Sequence, residues 1–480
     1  MPRTAVDRLA ALLPPGFTLG VATAAFQIEG AVDDDGRGPS GWDAFAHSPG
    51  TIADGASPDI ADDHYHRAEE DLALLSRLGV DAYRLSIAWP RVQPDGRGAW
   101  NEKGWAFYER LLDGLLEAGI RPVVTLYHWD TPLPLEEAGG WLSRETAERF
   151  SEYAAEAGRR LGDRVDQWIT LNEPATVTLN GYALGVHAPG KQLLYEALPS
   201  VHHQLLAHGL GVQALRASTD DGKIGITNLH APVSAKSWRP FDRLHAGLFD
   251  AIFNRLFADP ILLGRYPRVP WIAKRNFAPL LDAVRPGDLE LIQQPLDFYG
   301  LNYYYPVRIG AGAGPAAGAP TGHHRRVAAL KRLPFHLADF PEFPRTGFGW
   351  PIAPAHLGTL LVQMRDRYGD TLPPILITEN GASFPEPAST DGPIDDSERI
   401  DYLAAHLESA LDSVAPGGPA EGVELAGWFV WTLLDNFEWA AGYTQRFGLV
   451  HVDFDTLERT PKASFEWLRQ LTAARERTAA

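Results

Sequence analysis

The chain has 480 residues, and its 61 aspartates and glutamates outnumber its 43 lysines and arginines, which gives a formal net charge of -18 at pH 7. Such an acidic surface repels the phosphates of nucleic acids and anionic membrane surfaces, so we expect neither as a partner. The chain has no cysteine, which excludes disulfides and thiolate metal sites.

The N-terminal segment lacks the pattern of a secretory signal peptide. Its longest apolar run extends only from Leu9 to Leu13 and is ended by Pro14 and Pro15, which is shorter than the usual apolar core of a signal peptide. The sequence also has no uninterrupted apolar segment long enough for a transmembrane helix. We therefore predict a cytoplasmic protein.

Segments with a helical pattern recur along the chain, and each is followed by a glycine and a short apolar segment that is typical of a buried strand. The clearest helices are predicted at Asp71–Leu78, Phe107–Ala118 and Glu145–Leu161. Strands are predicted at Phe17–Ala22, Tyr83–Ala88, Pro122–Tyr127, Val165–Leu171, Lys223–Leu229, Leu296–Asn302, Pro374–Thr378 and Leu425–Thr432.

Strands that alternate with helices over this length favour a parallel sheet closed into a barrel. We predict the fold class α/β, a single (β/α)8 TIM barrel with elaborated βα loops. An open doubly wound sheet is the alternative, but Gly20–Thr23 is not the glycine-rich phosphate loop that usually follows its first strand. Residues 1–480 are expected to form one catalytic domain with a core at about residues 17–465. The low-complexity segment Gly310–Pro320 is expected to lie in a rim loop.

Most of the predicted strands end in residues that can take part in chemistry. They include Arg84, His128, Glu173, Asn302 and Glu379. Barrel enzymes place their active sites at the C-terminal ends of the strands. The sequence therefore predicts an active site on this rim, and a purely structural protein gives no reason for such a distribution.

Two glutamates at strand ends fit the carboxyl pair that glycoside hydrolysis requires. Glu173 and Glu379 belong to different strands, and a barrel brings both to the same rim. Each glutamate alone also fits an ordinary role at a helix start or in a turn. Arg84 and Tyr304 are expected near Glu379, because a positive charge and a hydrogen-bond donor favour an ionised carboxylate.

The segment Trp428–Trp439 has the residues that a sugar-binding site needs. Trp431 offers a plane for stacking, and Glu438 and Trp439 offer an acceptor and a donor for hydroxyl groups. An aromatic stripe in the core is the alternative, but it does not account for Glu438, because an unpaired buried charge is costly. Asn172, beside Glu173, can donate to a sugar 2-hydroxyl.

Other polar residues fit a structural role as well as a functional one. Gln27 and Trp129 follow strands, and neither indicates a function by itself. The segment His64–His66 follows two aspartates and resembles a metal site, but it precedes a predicted helix, where aspartates are ordinary capping residues. We expect no metal and no cofactor.

Taken together, several segments identify a resemblance that covers nearly the whole chain. The chain resembles the β-glucosidases of glycoside hydrolase family 1 from about residue 17 to about residue 465. The motifs that carry the resemblance are Gln27–Ala31, Asp35–Ser40, Tyr83–Arg91, Tyr127–Asp130, Thr170–Pro174, Ile375–Gly381 and Asp435–Trp439.

The resemblance implies a role for each of these polar residues. It implies that Glu173 is the general acid/base, that Glu379 is the nucleophile, and that Arg84 and Tyr304 lie near the nucleophile. It also implies a subsite for the non-reducing sugar, formed by Gln27, His128, Trp129, Asn172, Asn302, Trp431, Glu438 and Trp439.

The resemblance further implies a retaining, exo-acting β-glycosidase that removes terminal β-D-glycosyl residues from small β-glycosides or short oligosaccharides. Myrosinase-like members have glutamine at the position of Glu173, and phospho-glycosidase members lack the pair Glu438 and Trp439. A neutral sugar is therefore favoured, while glucose, galactose and fucose all remain open.

Two alternatives use the same residues differently. A transglycosylase would pass the glycosyl group to a sugar rather than to water, and a non-catalytic carbohydrate-binding protein would only bind the sugar. The presence of both Glu173 and Glu379 argues against the second alternative, because binding alone requires neither. The oligomeric state and the physiological substrate are left open by the sequence.

Overall fold

In this computed structural model, the structure describes residues 3–219, 221–312, 333–386, 392 and 394–479. Residues 313–320 of the predicted low-complexity rim loop lie outside these described residues. The α-helices are α1 Arg3–Leu12, α2 Ala25–Ile28, α3 Gly41–Ala46, α4 His64–Leu78, α5 Trp89–Val92, α6 Glu102–Glu117, α7 Leu133–Glu137, α8 Arg144–Leu161, α9 Pro174–Thr176, α10 Pro199–Ser218, α11 Pro240–Asp250, α12 Leu256–Leu263, α13 Ala278–Ala283, α14 Asp288–Ile292, α15 Ala355–Tyr368, α16 Ser397–Val414 and α17 Ala463–Ala479.

Short 3-10 and π-helical segments extend or connect these helices. The strands are β1 Thr18–Ala22, β2 Ala82–Ser86, β3 Arg121–Tyr127, β4 Gln167–Asn172, β5 Lys223–Leu229, β6 Val233–Ala235, β7 Tyr299–Asn302, β8 Val307–Ala311, β9 Phe335–Ala338, β10 Ile375–Asn380, β11 Leu425–Trp431, β12 Val450–Val452 and β13 Arg459–Pro461. The 3-10 segments are Gly140–Leu142, Leu194–Ala197, Trp271–Phe277, Gly369–Thr371 and Trp439–Ala441, and the π-helical segments are Val177–Ala183 and Ala251–Arg255.

The strands β1, β2, β3, β4, β5, β7, β10 and β11 form a closed barrel in that order. Every neighbouring pair is parallel, including the pair β11 and β1 that closes the barrel. The predicted (β/α)8 barrel is therefore confirmed. Each predicted strand overlaps an observed one, and Lys223–Leu229 has the predicted bounds.

The barrel interior is filled by a layer of apolar side chains beneath the rim: Ala82, Val123, Ile169, Phe298, Leu376 and Phe429. Glycines supply the space that the larger members of this layer need. A Cβ atom at Gly20 would lie 2.4 Å from the ring of Phe429. The interior is thus a packed core, and barrel enzymes place their active sites above such a core, at the C-terminal ends of the strands.

The βα loops above the rim carry secondary structure of their own. Strands β6, β8 and β9 form a small sheet that continues from the ends of β5 and β7. One hydrophobic cluster extends from Val6 in α1 to Ala474 in α17. It includes residues of all eight barrel strands, but not the residues that face the barrel interior. In the described part of the chain, no helix is both long and apolar enough to span a bilayer.

Candidate active site

Glu379 lies at the end of β10, where the apolar run Ile375–Ile377 brings its carboxylate to the rim. Arg84, on β2, donates from Nη1 to Oε1 of Glu379 at 2.5 Å. The Tyr304 hydroxyl donates to Oε2 at 2.6 Å. Each carboxylate oxygen therefore accepts a hydrogen bond, and the side chain is fixed in one orientation.

Glu173 follows β4 in the left-handed conformation, with φ of 47°. Its Oε1 accepts from Asn302 Nδ2 at 2.7 Å, and its Oε2 lies 2.7 Å from the Thr176 hydroxyl. Burial, with the charge of Glu379 as a second cause, raises the pKa of Glu173 to about 8, although both hydrogen bonds lower it. At neutral pH this carboxyl group therefore holds a proton that it can donate.

Asn172 connects the surroundings of the two glutamates. Its Oδ1 accepts from Arg84 Nη2 at 2.7 Å and from Asn302 Nδ2 at 3.2 Å. Its Nδ2 lies 2.9 Å from His128 Nε2. The contacts of Asn172 and Asn302 thus link the four strands β2, β3, β4 and β7 in one polar network at the rim.

His128 is a neutral imidazole in this network. Burial, with the charge of Arg84 as a second cause, holds the pKa of His128 well below its ordinary value. Because Nε2 accepts from Asn172, the proton of the neutral ring is assigned to Nδ1. Among the described residues no partner contacts Nδ1, which is a buried atom.

Gln27 and Glu438 form the opposite side of the site. Nε2 of Gln27 donates to Asn436 Oδ1 and to the Phe437 carbonyl, both at 3.0 Å, and lies 3.4 Å from Glu438 Oε2. Glu438 is half-buried, and the surrounding protein excludes most water from its carboxyl group. This desolvation, followed by the charge of Glu379, raises the pKa of Glu438 to about 8.

Three tryptophans supply the aromatic surfaces. The rings of Trp129 and Trp439 lie 4.3 Å apart, and both residues have a positive φ, of 78° and 49°. Trp431 is stacked on His128 with the ring centroids 5.8 Å apart. Trp129 Nε1 donates to the Asn172 carbonyl at 2.9 Å, so its indole N–H is used within the protein and only its ring is offered to a ligand.

The structure thus brings all the predicted site residues together on one rim, and it adds residues that sequence reasoning missed. Thr176 contacts Glu173, and its position three residues further on in a helical turn is a signal that could have identified it. Trp350 lies 5.5 Å from Tyr304 and 4.8 Å from Tyr305, measured between ring centroids. It belongs to a long loop without a strand pattern, so its place in the site could not be predicted from the sequence.

One group of side chains in the described residues has the spacing of a metal site. Glu386, Asp435 and His451 bring their possible ligand atoms within 4.8 Å of one another. Lys462 Nζ, however, lies 2.6 Å from Glu386 and 2.8 Å from Asp435. The ammonium group supplies the positive charge that a metal ion would bring, so these residues form a buried ion cluster.

Comparison with known proteins agrees with this geometry. The family model described as Glycosyl hydrolase family 1 matches residues 9–477. β-Glucosidase A of Thermotoga maritima is 43% identical over 95% of this chain and 96% of its own length. A bifunctional β-D-glucosidase/β-D-fucosidase of Bifidobacterium breve is 42% identical over 96% of this chain and 98% of its own length.

A solved structure shows the same architecture. The crystal structure of the psychrophilic β-glucosidase BglU from Micrococcus antarcticus superposes with a TM-score of 0.91 at 42% identity, covering 98% of this chain and 99% of that one. Family model, relatives and structure agree over almost the whole chain, and the resemblance seen in the sequence motifs is confirmed. The chain belongs to glycosyl hydrolase family 1 and is a glycoside hydrolase.

Proposed function

We propose that this protein is a retaining, exo-acting β-glucosidase that hydrolyses terminal non-reducing β-D-glycosyl residues by double displacement. The observation that carries the proposal is the difference between the two carboxyl groups. Glu379 accepts hydrogen bonds from Arg84 and Tyr304, whereas burial keeps Glu173 protonated at neutral pH. One ionised and one protonated carboxyl group are what the two roles require.

In the first step, a carboxylate oxygen of Glu379 attacks the anomeric carbon. Glu173 donates its proton to the glycosidic oxygen, the bond to the leaving alcohol breaks, and a covalent glycosyl-enzyme forms. Arg84 and Tyr304 hold Glu379 in the orientation for attack. Asn302 does the same for Glu173.

In the second step, Glu173 is ionised and acts as a general base. It removes a proton from water, and the oxygen of this water attacks the anomeric carbon and displaces Glu379. The two inversions give net retention. The ester with Glu379 no longer carries a negative charge, which lowers the repulsion that contributes to the high pKa of Glu173 in the free enzyme.

For the substrate we propose a neutral β-glycoside with glucose or a close epimer or deoxy analogue at the non-reducing end. Two similar enzymes are named for glucosides and, in one case, also for fucosides. In this chain, His128 Nδ1 and Gln27 Oε1 have no partner among the described residues. We propose that both of these buried atoms, together with Glu438, bind sugar hydroxyls, and that Trp431 offers a stacking surface.

Initial rates on 4-nitrophenyl glycosides test the substrate class. We expect turnover of the β-glucoside and β-fucoside and none of the α-glucoside or the β-glucoside 6-phosphate. The anomer that forms first, observed by proton NMR, should be β. An α-anomer as the first product would overturn the retaining mechanism, and exclusive turnover of the 6-phosphate would overturn the neutral-sugar assignment.

Two variants test the assignment of the carboxyl groups. Glu379→Ala should lose nearly all turnover, because no other group forms the glycosyl-enzyme. Glu173→Ala should lose more activity on alkyl β-glucosides than on 2,4-dinitrophenyl β-glucoside, whose leaving group needs little protonation. Equal losses on both substrates would contradict the role of Glu173.

We further propose that residues 1–480 act as one catalytic domain, because a single hydrophobic cluster extends from Val6 to Ala474. Domain organisation is tested by limited proteolysis, in which one protected fragment of nearly full length is expected. The cytoplasmic location stays a prediction of the sequence.

A further inference from the structure

Thr176 makes a direct contact with the carboxyl group that we assign as the general acid/base. Its hydroxyl lies 2.7 Å from Glu173 Oε2, and its backbone N–H donates to the Glu173 carbonyl at 2.9 Å. The side chain is buried and lies in the helical turn Pro174–Thr176, which begins directly after Glu173. The hydroxyl is thus held against the carboxyl group by the backbone of the same turn.

The other oxygen of Glu173 faces a group that can only donate. Arg84 Nη2 can only donate, so its contact of 2.7 Å with Asn172 Oδ1 identifies the oxygen of the Asn172 amide. Asn302 Nδ2 lies 3.2 Å from the same oxygen and must donate to it, so the NH2 group of Asn302 also points at Glu173 Oε1. The acidic proton of Glu173 is therefore placed on Oε2, the oxygen that Thr176 contacts.

We propose that Thr176 is a positioning residue that holds Oε2 of Glu173 in both of its protonation states and stabilises the ionised state that forms when the proton is transferred. The proposal rests on the proposed role of Glu173. A hydroxyl group suits this task because it can accept from a carboxylic acid and, after a rotation about the C–O bond, donate to a carboxylate.

The contact balances the proton transfer of each step. When the Oε2 proton moves to the leaving oxygen, the Thr176 hydroxyl turns and donates to the new carboxylate. In the second step Oε2 takes a proton from water and the hydroxyl turns back. The charge-assisted bond to the carboxylate is the stronger of the two, so Thr176 lowers the cost of ionising a buried Glu173.

Other charged and titratable groups around Glu173 act on the same equilibrium and must stay unchanged in a test. They are Arg84 on β2, His128 after β3, Tyr304 and Tyr305 after β7, Glu379 on β10 and Glu438 after β11. Thr176 itself carries no charge. Its substitution therefore changes one hydrogen bond and no other electrostatic partner.

The test compares Thr176→Val, which keeps the shape and removes the hydroxyl, with Thr176→Ser, which keeps the hydroxyl. The pH dependence of kcat/KM on an alkyl β-glucoside is measured, because its alkaline limb reports the ionisation of the acid in the free enzyme. We expect the limb to move up by about one pH unit in Thr176→Val, since a hydrogen bond to a charged group changes an equilibrium about tenfold. Thr176→Ser should retain the limb of the parent protein.

Glu173→Gln separates the possible failures. If this variant keeps the alkaline limb, Glu173 is not the titrating acid and the proposed function fails. If Glu173→Gln abolishes the limb while Thr176→Val leaves it in place, only the role of Thr176 is overturned. Should Thr176→Val not fold, Thr176→Ala with carboxyl-labelled glutamate and carbon NMR gives the titration of Glu173 directly, with the same upward shift expected and an unchanged titration contradicting the proposal.

Discussion

At the scale of single residues, the site contains two glutamates whose burial is electrostatically unfavourable, and the rest of the fold must offset this cost. Glu173 and Glu438 both have a pKa of about 8, and desolvation is the main cause for each. Each group therefore binds a proton in the folded protein over a pH range where it is ionised in the unfolded chain. Such groups reduce the stability of the folded state as the pH rises through this range.

Glu173→Gln should for this reason stabilise the protein at alkaline pH. The folded-state pKa of Glu173 is raised from 4.5 to about 8, so the stability present below pH 4.5 is lost progressively as the pH rises to about 8. We expect the variant to exceed the parent by roughly 4 kcal/mol in free energy of unfolding at pH 8 and by much less at pH 5. Urea unfolding at both pH values measures this, and an equal difference at the two pH values would contradict it.

Tyr304→Phe should reduce kcat/KM without changing the preference for leaving groups. The substitution removes the donor to Glu379 Oε2, and the loss of a hydrogen bond to a charged group costs roughly 1.5–3 kcal/mol, or about 10- to 100-fold in rate. Tyr305→Phe is the matched control, because Tyr305 packs against Trp350 rather than contacting Glu379. Equal losses in the two variants would show that the aromatic packing matters and the contact with Glu379 does not.

The sequence predicted the site residues at the strand ends because the ends of buried strands can be recognised in it. A barrel then brings these ends to one rim. It predicted the contacts of Arg84 and Tyr304 with Glu379, and both are present. It did not predict that Trp129 uses its indole N–H on the Asn172 carbonyl. That contact depends on the left-handed backbone conformation of Trp129. The spacing of apolar residues along the sequence does not predict such a conformation.

At the scale of elements, the presence of the barrel strands was easier to predict than their exact boundaries. Buried parallel strands are continuous apolar runs bounded by glycine and polar residues, so β5 was predicted with its full bounds. The strand β7 was predicted three residues too long at its start, because the apolar residues Leu296 and Phe298 pack against the core but lie outside the sheet. The small sheet β6–β8–β9 was not predicted, because its strands are short and only partly buried.

Gly20→Ala should destabilise the barrel at the contact between β1 and β11. The new Cβ would lie 2.4 Å from the Phe429 ring and 2.8 Å from the Ala82 carbonyl oxygen, and overpacking of a core typically costs about 1–3 kcal/mol. Thermal unfolding measures the loss, and the double variant with Phe429→Leu should recover part of it. Gly247→Ala is the control, because in the described part of the chain no atom beyond the helix's own backbone lies within 4 Å of its Cβ position in α11. This control should gain about 0.5–1 kcal/mol.

At the scale of the whole molecule, the C-terminal helix is joined to the starts of the strands, on the side away from the site. The helices α1 and α17 pack against each other. Arg475 on α17 makes a bidentate ion pair with Asp81, with both N–O distances at 2.6 Å, and donates to the Phe17 carbonyl at 2.9 Å. Asp81 also accepts from the Leu19 backbone N–H at 2.8 Å. One ion pair thus joins the C-terminal helix to the starts of β1 and β2.

Arg475→Ala should lower the stability of the protein while leaving catalysis unchanged. Breaking a partly buried bidentate pair removes charge-assisted hydrogen bonds, each worth roughly 1.5 kcal/mol or more, and leaves Asp81 without its cation. The pair lies at the N-terminal ends of the strands, and residues at that end of a barrel contribute to stability rather than to chemistry. We therefore expect a lower melting temperature, with kcat/KM on an aryl β-glucoside the same as that of the parent at 25 °C.

Arg477→Ala provides the matched control on the same helix. Arg477 is 54% exposed and lies 3.3 Å from Asp7, which is itself 51% exposed, and ion pairs of this kind contribute little to stability. This variant should have the same melting temperature as the parent. If Arg477→Ala and Arg475→Ala lowered the melting temperature equally, the general charge of α17 would account for the effect. If Arg475→Ala reduced kcat/KM, the base of the barrel would be coupled to the rim, contrary to the separation that the structure indicates.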